Sequence, residues 1–156
     1  MAQLAYNAAN ADPVPGMIAD ACGAPVKIQS YNATEDFDMF GIAAQKKAAD
    51  DNGIEEVSGG AGTIAGVIVR QLATVKDTPV AEDAVAVMRR GRIYVYVDAD
   101  VTPDDAVYVR HTAAGPLTVL GAFTKTNDGN TQALATAKFL TSASAGGVAV
   151  LDINLP

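Results

Sequence analysis

Cysteine, histidine, tryptophan and positive charge are all scarce in this chain. Its one cysteine, Cys22, cannot form an internal disulfide, which excludes small secreted folds held by disulfides. No apolar run approaches the roughly 18 residues of a membrane span, and no Lys or Arg precedes the first apolar residues, so a signal peptide is not predicted. Eleven basic against 18 acidic residues give a net charge of -7, which disfavours nucleic-acid binding because that binding depends on cationic contacts to phosphates. We therefore expect a soluble acidic protein, made in the cytosol, with neither a membrane nor a nucleic acid as partner.

The apolar part of the sequence is large but consists mainly of small and β-branched residues. Apolar residues make up 49% of the chain, and 30 Ala and 17 Val account for most of them. This fraction is too high for a disordered chain, and 156 residues fit a single domain. We expect an ordered domain whose thin core is built from small and β-branched side chains.

Short β-strands separated by turns are predicted along most of the chain. Alternation is clearest at Asp83–Met88 and Ile93–Val97, where every second residue is Val or Ile. Turn-forming residues such as Asn52-Gly53 and Asn127-Asp128-Gly129 lie between the segments. Further strands are predicted at Lys27–Tyr31, Phe40–Gln45, Thr63–Arg70, Ala106–Arg110, Leu117–Lys125, Ala137–Thr141 and Val148–Asn154.

These patterns predict an all-β fold, either a small β-barrel or a jelly-roll-like sandwich. No stretch keeps helical spacing over three turns, and the Ala-rich segments Ala19–Ala24 and Ala43–Ala49 allow a helical turn or two at most. Residues 1–16 are rich in Ala, Asn and Asp and are interrupted by Pro13 and Pro15, so we expect an extended N-terminal arm. Residues 17–156 are then predicted to form one β-barrel-like domain.

Two patterns resemble cofactor or metal sites, and both have simpler explanations. Gly60–Ala65 matches the loose dinucleotide pattern, but that pattern needs a helix to follow and Thr63–Arg70 favours a strand. Carboxylates gather in Asp98–Asp105, but the glycine and glutamate of a calcium loop are absent at the required positions, so a solvated turn is favoured. We expect neither a cofactor nor a metal.

Nucleophilic catalysis has little support. His111 is the only imidazole, and Ser144 lacks the leading glycine and following helix of a nucleophile elbow. Cys22 has no nearby basic residue to lower its pKa. We therefore predict that the chain is not an enzyme and has no catalytic residues.

A cationic and aromatic cluster stands out against the acidic background. Arg89, Arg90 and Arg92 surround Gly91, and Tyr94 and Tyr96 follow. Arg and Tyr are common at binding hot spots, although a solvated tight turn or bulge at Gly91, with the arginines pointing to water, is slightly favoured as the explanation of the pattern. These five residues are candidate interface residues, and so are Leu4, Tyr6 and Val14 of the arm.

The sequence resembles the bacteriophage capsid cement, or head decoration, protein family. The resemblance extends over nearly the whole chain through short motifs that occur in the family's order. They are Gly16-Met17-Ile18-Ala19-Asp20, Phe40-Gly41-Ile42-Ala43, Val85–Val95, Asp105–Val109, Gly121-Ala122-Phe123-Thr124 and Ala137–Ile153. The turn Thr102-Pro103-Asp104 departs from the family, which usually has a glycine there.

The resemblance implies a small β-barrel or jelly-roll-like domain in the virion, on the outer surface of the mature capsid. It implies a structural role, in which the protein bridges major capsid subunits and stabilises the head. The implied partners are the major capsid protein and further copies of the chain, in a homodimer or homotrimer. The resemblance transfers no catalytic residues.

Two other interpretations stay open. The first is a carbohydrate- or receptor-binding β-domain of a phage fibre or tail, which the lack of Trp and the 6% aromatic content disfavour. The second is a hydrolase based on Ser144 and His111. Glycan binding would support the first, and turnover that is lost in a Ser144→Ala variant would support the second.

Overall fold

The protein is built from β-strands. A computed structural model describes residues 13–20, 25–71 and 77–156 and contains no helix within these ranges; accordingly, none there could cross a membrane as a helix. The strands are β1 (Ile18–Asp20), β2 (Lys27–Ala33), β3 (Ala43–Lys46), β4 (Gly53–Glu56), β5 (Ile64–Ile68), β6 (Ala84–Tyr96), β7 (Tyr108–Arg110), β8 (Phe123–Thr124), β9 (Thr131–Ala133), β10 (Ala137–Phe139) and β11 (Val148–Asn154).

Five strands close into a barrel. Going round it, β6 pairs with β2, β2 with β4, β4 with β3, β3 with β5, and β5 returns to β6. The β2–β4 pair is parallel and the other four are antiparallel. Tyr31, Phe40, Ile42, Ile54 and Ile68 fill the interior and are almost completely buried. The predicted all-β, barrel-type fold is therefore confirmed.

The 13-residue strand β6 organises the rest of the molecule. Its first half lies between β2 and β5 inside the barrel wall. Its second half extends beyond the barrel, where β11 pairs along one edge and β1 along the other. The strands β8, β7 and β9 form a separate three-stranded sheet. A second core, which includes Val95 of β6, Phe123 of β8 and Leu151 of β11, joins this sheet to the strands around β6.

A bulge near Gly91 reverses the two faces of β6. Before it, Val87 faces the barrel interior and Met88 faces the second core. After it, the odd-numbered residues Ile93 and Val95 belong to the second core instead. The register with β2 shifts where Lys27 pairs with Arg90 and Ile28 with Met88, and Gly91 has φ of 132°, which favours glycine. The strand therefore bulges here and does not turn, and the interface role of the cluster stays a prediction.

The predicted strands correspond to observed ones with several corrections. Asp83–Met88 and Ile93–Val97 are parts of the single strand β6, and of Leu117–Lys125 only Phe123–Thr124 is a strand. Residues 43–46 form β3 rather than a helical turn. Three strands had not been predicted, namely β1, β4 and β9. Residues 21–24 of the other Ala-rich segment, Cys22 among them, lie outside the described residues.

Candidate interface around the second half of β6

The five candidate residues of the cationic and aromatic cluster all lie on β6. Arg92, Tyr94 and Tyr96 alternate with the buried Ile93 and Val95, so their side chains project from the opposite face of the strand. All three are partly exposed. The structure therefore brings Arg92, Tyr94 and Tyr96 together as a row, which we call the β6 row.

The three arginines have different surroundings. Arg89 donates hydrogen bonds to Oε1 of Gln29, over 3.4 Å, and to the carbonyl oxygen of Pro156. Nε of Arg92 lies 3.9 Å from a carboxylate oxygen of Asp152, and both side chains are exposed enough for solvent to screen the pair strongly. Arg90 is exposed and makes neither an ion pair nor a side-chain hydrogen bond with another described residue. Arg90 is thus available to a partner, whereas Arg89 is already oriented by the chain itself.

Charges alternate across the sheet beside the β6 row. Lys138 of β10 is paired in register with Asp152 of β11, and Asp152 is paired with Arg92 of β6. The backbone of Asp20 in β1 continues this register on the other side of Arg92. Opposite charges at neighbouring cross-strand positions stabilise a sheet by roughly 0.2–1 kcal/mol per pair. This part of the surface therefore has mixed charge, unlike the net-negative chain as a whole.

The described end of the N-terminal arm runs against the β6 row. The amide of Gly16 donates to the carbonyl of Tyr94 over 2.7 Å, and the amide of Tyr94 donates to the carbonyl of Met17 over 2.8 Å. Val14 is partly exposed, and its carbonyl accepts a hydrogen bond from Met17. The other two candidate residues of the arm, Leu4 and Tyr6, lie outside the described residues. Val14 is thus hydrogen-bonded to Met17, which in turn bonds to Tyr94, and the positions of Leu4 and Tyr6 stay predictions.

An open groove lies beside the bulge, with a volume of about 480 Å³. Arg90 and Lys138 contribute cationic side chains to its wall, and Asp152 contributes a carboxylate. The other lining residues are Pro25, Gly91, Ala135, Thr136, Ala137 and Asn154. The groove is therefore continuous with the cationic cluster and with the chain that leads into β2.

One edge of β2 has no partner among the described strands over its first half, a feature that the sequence did not predict. Only Asn32 and Ala33 of β2 pair with β4, whereas its earlier residues pair with β6 alone among the described strands. The segment 25–30 is exposed throughout, including the apolar residues Val26 and Ile28, which are 38% and 42% exposed. The available signal was an apolar residue on either side of Lys27, but sequence alone does not show which strand edges are unpaired.

The patterns that resembled chemical sites take structural roles. The segment after Gly60 enters β5, a strand and not a helix. Asp98 pairs with Arg110, Asp100 accepts a hydrogen bond from the amide of Ala145, and Asp105 accepts one from the amide of Thr102. Within the described ranges no three metal-ligating side chains come together.

The residues of the hydrolase hypothesis do not form a described catalytic pair. Nδ1 of His111 lies 2.9 Å from the hydroxyl of the adjacent Thr112. The carbonyl oxygen of Ser144 accepts a hydrogen bond from the amide of Gly147 in a loop turn. These contacts place both residues in local structure and give no support to acyl transfer.

The structure thus combines an all-β barrel with a partly exposed row of Arg and Tyr side chains on β6. Comparison with known proteins identifies the family. Residues 2–154 match the model of the family described as structural cement protein (E217 gp24/Pam3 gp6). The chain therefore belongs to the phage structural cement family, whose members are structural proteins of the phage capsid. This confirms the resemblance inferred from the sequence motifs and the virion location that it implied.

Two solved structures share the fold. A chain from the capsid of Myoviridae phage XM1 is 19% identical with a TM-score of 0.70, over 92% of this chain and 91% of that one. The N base of head fiber gp8.5 of bacteriophage phi29 is 16% identical with a TM-score of 0.51, over 83% and 95%. No curated protein matches the chain significantly.

Proposed function

We propose that this cement protein attaches to the outer surface of the assembled phage head and holds neighbouring major capsid subunits together. The observation that carries the proposal is the family match over residues 2–154, which covers both the arm and the barrel. A ligand that binds only the mature shell stabilises it by RT ln(1 + [L]/Kd), about 2.7 kcal/mol per site at a hundredfold excess over Kd. Contacts to two subunits at once add to this through effective concentration.

Within this proposal, two parts of the molecule make the contacts. The arm, residues 1–16, lies along a neighbouring subunit, with Leu4, Tyr6 and Val14 as its apolar contacts. The cluster on β6, namely Arg89, Arg90, Arg92, Tyr94 and Tyr96, contacts the shell or another copy. The hydrogen bonds that fix Gly16 and Met17 to Tyr94 support a single continuous surface, because they join the start of the domain to the β6 row. The domain itself is residues 17–156, and it self-associates as a dimer or trimer.

The direct test is to mix the purified full-length protein with undecorated mature heads and image them by electron microscopy. We expect density at regular positions on the outer surface and a higher temperature of DNA release from the decorated heads. Light scattering of the free protein measures whether it is a dimer or a trimer. Heads that stay bare at saturating protein would contradict the proposed function.

A truncated protein tests the role of the arm separately. Deleting residues 2–12 leaves the described contacts of Gly16 with Tyr94 and Arg70 in place, so the domain should still fold. We expect the truncated protein to bind heads at least tenfold more weakly, with an unchanged circular dichroism spectrum. Equal occupancy of heads by the truncated and full-length proteins would show that the arm makes no contact of consequence.

The alternative function, a receptor- or carbohydrate-binding domain of a phage fibre or tail, has one observation in its favour. The fold likeness extends to a head fiber base, but at 16% identity this is a likeness of fold alone. Binding of the isolated protein to a glycan array, combined with no binding to heads, would favour this alternative.

A further inference from the structure

Along one edge, the backbone groups in the first half of β2 are paired with no other strand of the described ranges. The amide of Asn32 donates to the carbonyl of Asn52 on the β4 side over 2.8 Å. Because backbone groups alternate along a strand, Ser30 and Ile28 direct their N–H and C=O groups to that same side. The chain that leads into β4 turns away at Asp50–Asn52, and no other described strand pairs there. The open edge, which we define as Val26–Ser30, is about 16 Å long at ~3.3 Å per residue.

The two faces of the open edge differ in character. Ile28 is paired in register with the buried Met88, and a Cβ added to Gly91 would lie 3.3 Å from a methyl group of Val26. One face therefore carries exposed apolar side chains next to the second core. On the other face Lys27 is paired in register with Arg90, and both are exposed.

Charge distinguishes between possible occupants of this edge. One possible occupant is the same edge of a second copy. If the two β2 strands pair antiparallel with Ile28 opposite Ile28, then Lys27 lies opposite Gln29 of the other copy. Gln29 is the residue that Arg89 contacts, so this pairing brings cations together, and like charges at close positions destabilise a sheet. A carboxylate at the same place would instead meet Lys27 and Arg90. Charge thus favours an acidic segment from a different protein over a second copy.

We propose that the open edge of β2 binds a short extended segment of another protein, in which carboxylates alternate with apolar residues. The segment adds a strand to the sheet through the backbone groups of Ile28 and Ser30, as in β-strand addition. Its carboxylates face Lys27 and Arg90, and its apolar side chains face Val26 and Ile28. That the binding partner is a capsid subunit rests on the proposed function. That the bound segment alternates carboxylates with apolar residues does not.

The chemistry is tested with peptides in the absence of heads. The probes are two capped hexapeptides, one alternating Glu and Val and the other alternating Lys and Val. We expect millimolar Glu–Val peptide to shift the NMR signals of the Ile28 and Ser30 amides, with the effect decreasing as salt increases. The Lys–Val peptide should shift them at least tenfold less at equal concentration. No shift by either peptide, or equal shifts by both, would overturn the proposal.

Variants test the same edge on heads. Lys27→Glu should bind heads at least tenfold more weakly than the wild type, and Lys47→Glu, an equal charge change on another exposed lysine, should bind within twofold. Ile28→Pro removes the outward N–H that would bond to the added strand, and an edge strand tolerates this loss without unfolding. Ile28→Val keeps the N–H, so only Ile28→Pro should weaken binding to heads. If Ile28→Pro does not fold, protection of the Ile28 and Ser30 amides from hydrogen exchange on heads replaces it.

The outcomes separate the two proposals. Wild-type protein that fails to bind heads contradicts the proposed function, while the peptide experiment still decides the chemistry of the edge. Wild-type protein that binds, together with Lys27→Glu and Ile28→Pro variants that bind equally well, contradicts only the edge proposal. A wild-type oligomer that dissociates in Ile28→Pro, measured by light scattering, would show that a second copy occupies the edge and that the acidic partner is wrong.

Discussion

The ion pair between Arg110 and Asp98 joins the segment that follows β6 to the three-stranded sheet, and it is almost completely buried. Nε of Arg110 donates to Oδ2 of Asp98, and the two side chains are 0% and 3% exposed. The amide of Asp98 donates to the carbonyl of Phe123, and the amide of Arg110 donates to that of Ala122. Removing either side chain therefore leaves a charge buried beside both parts of the fold.

Replacing Arg110 with Met should cost about 3–5 kcal/mol of unfolding free energy, the usual penalty for an uncompensated buried charge. Domains of this kind have unfolding free energies of about 5–15 kcal/mol, so the loss is a large part of the total. The pair is also incompletely hydrogen-bonded, since Nη1 and Nη2 of Arg110 and Oδ1 of Asp98 have no partner among the described residues. The double variant Arg110→Met/Asp98→Leu should therefore be more stable than Arg110→Met, because it removes both charges.

Urea denaturation of the wild type, both single variants and the double variant measures this as a double-mutant cycle. Lys138→Met is the matched control, because Lys138 is exposed and the loss of its cross-strand pair with Asp152 should cost no more than about 1 kcal/mol of unfolding free energy. Arg110→Met should lose more unfolding free energy than Lys138→Met, and the double variant should be more stable than Arg110→Met. Failure of either result would show that Asp98 is not left as an uncompensated buried charge.

Two further predictions concern the barrel. Burial raises the pKa of Glu56, and the nearby charges of Asp38 and Glu35 add to this. Because the folded-state pKa of Glu56 lies above the unfolded value of 4.5, its ionisation opposes folding at neutral pH. Glu56→Gln should therefore raise Tm at pH 7, and this gain should vanish as the pH falls towards 4.5. An equal gain in Tm for the control Asp104→Asn, at an exposed residue, would refute the assignment. Gly66 has φ of 152°, and an added Cβ would lie 2.3 Å from the carbonyl oxygen of Met88, so Gly66→Ala should lower the unfolding free energy by more than about 2 kcal/mol in urea titrations. Its control Gly129→Ala has open space and should stay within about 1 kcal/mol of the wild type.

The parts of the fold that could be predicted from sequence are those in which apolar residues alternate over several positions. The alternation at Val85–Val87 and at Ile93–Val97 correctly gave buried and exposed faces, and Val148–Asn154 was predicted with its observed bounds. Strand β4 was missed because Gly53-Ile54-Glu55-Glu56 has one large apolar residue and two acids. Its strand conformation follows from pairing with β2 and β3, which is tertiary information.

The ends of some strands depend on backbone geometry, which the strand preferences of the residues do not predict. Leu117–Lys125 is rich in strand-forming residues, but Gly121 has φ of 80° and an added Cβ would lie 2.3 Å from the carbonyl of Ala43. The chain therefore bends there, and only Phe123–Thr124 joins the sheet. The unpaired edge of β2 is of the same kind, since which strands lack a neighbour depends on the whole topology.

The bulge at Arg89, close to Gly91, explains why the side chains of the cationic and aromatic cluster lie on the surface. Without it, the alternation that buries Met88 in the second core would also turn Arg92 and Tyr94 towards that core and leave Ile93 and Val95 outside. Inserting one residue into the register reverses the faces, so Ile93 and Val95 enter the core while the β6 row remains partly exposed. The same bulge sets Arg90 opposite Lys27 at the start of β2, which places the cations at the open edge. This one bulge therefore determines which residues of β6 enter the second core and which lie on the two surfaces that the proposals concern.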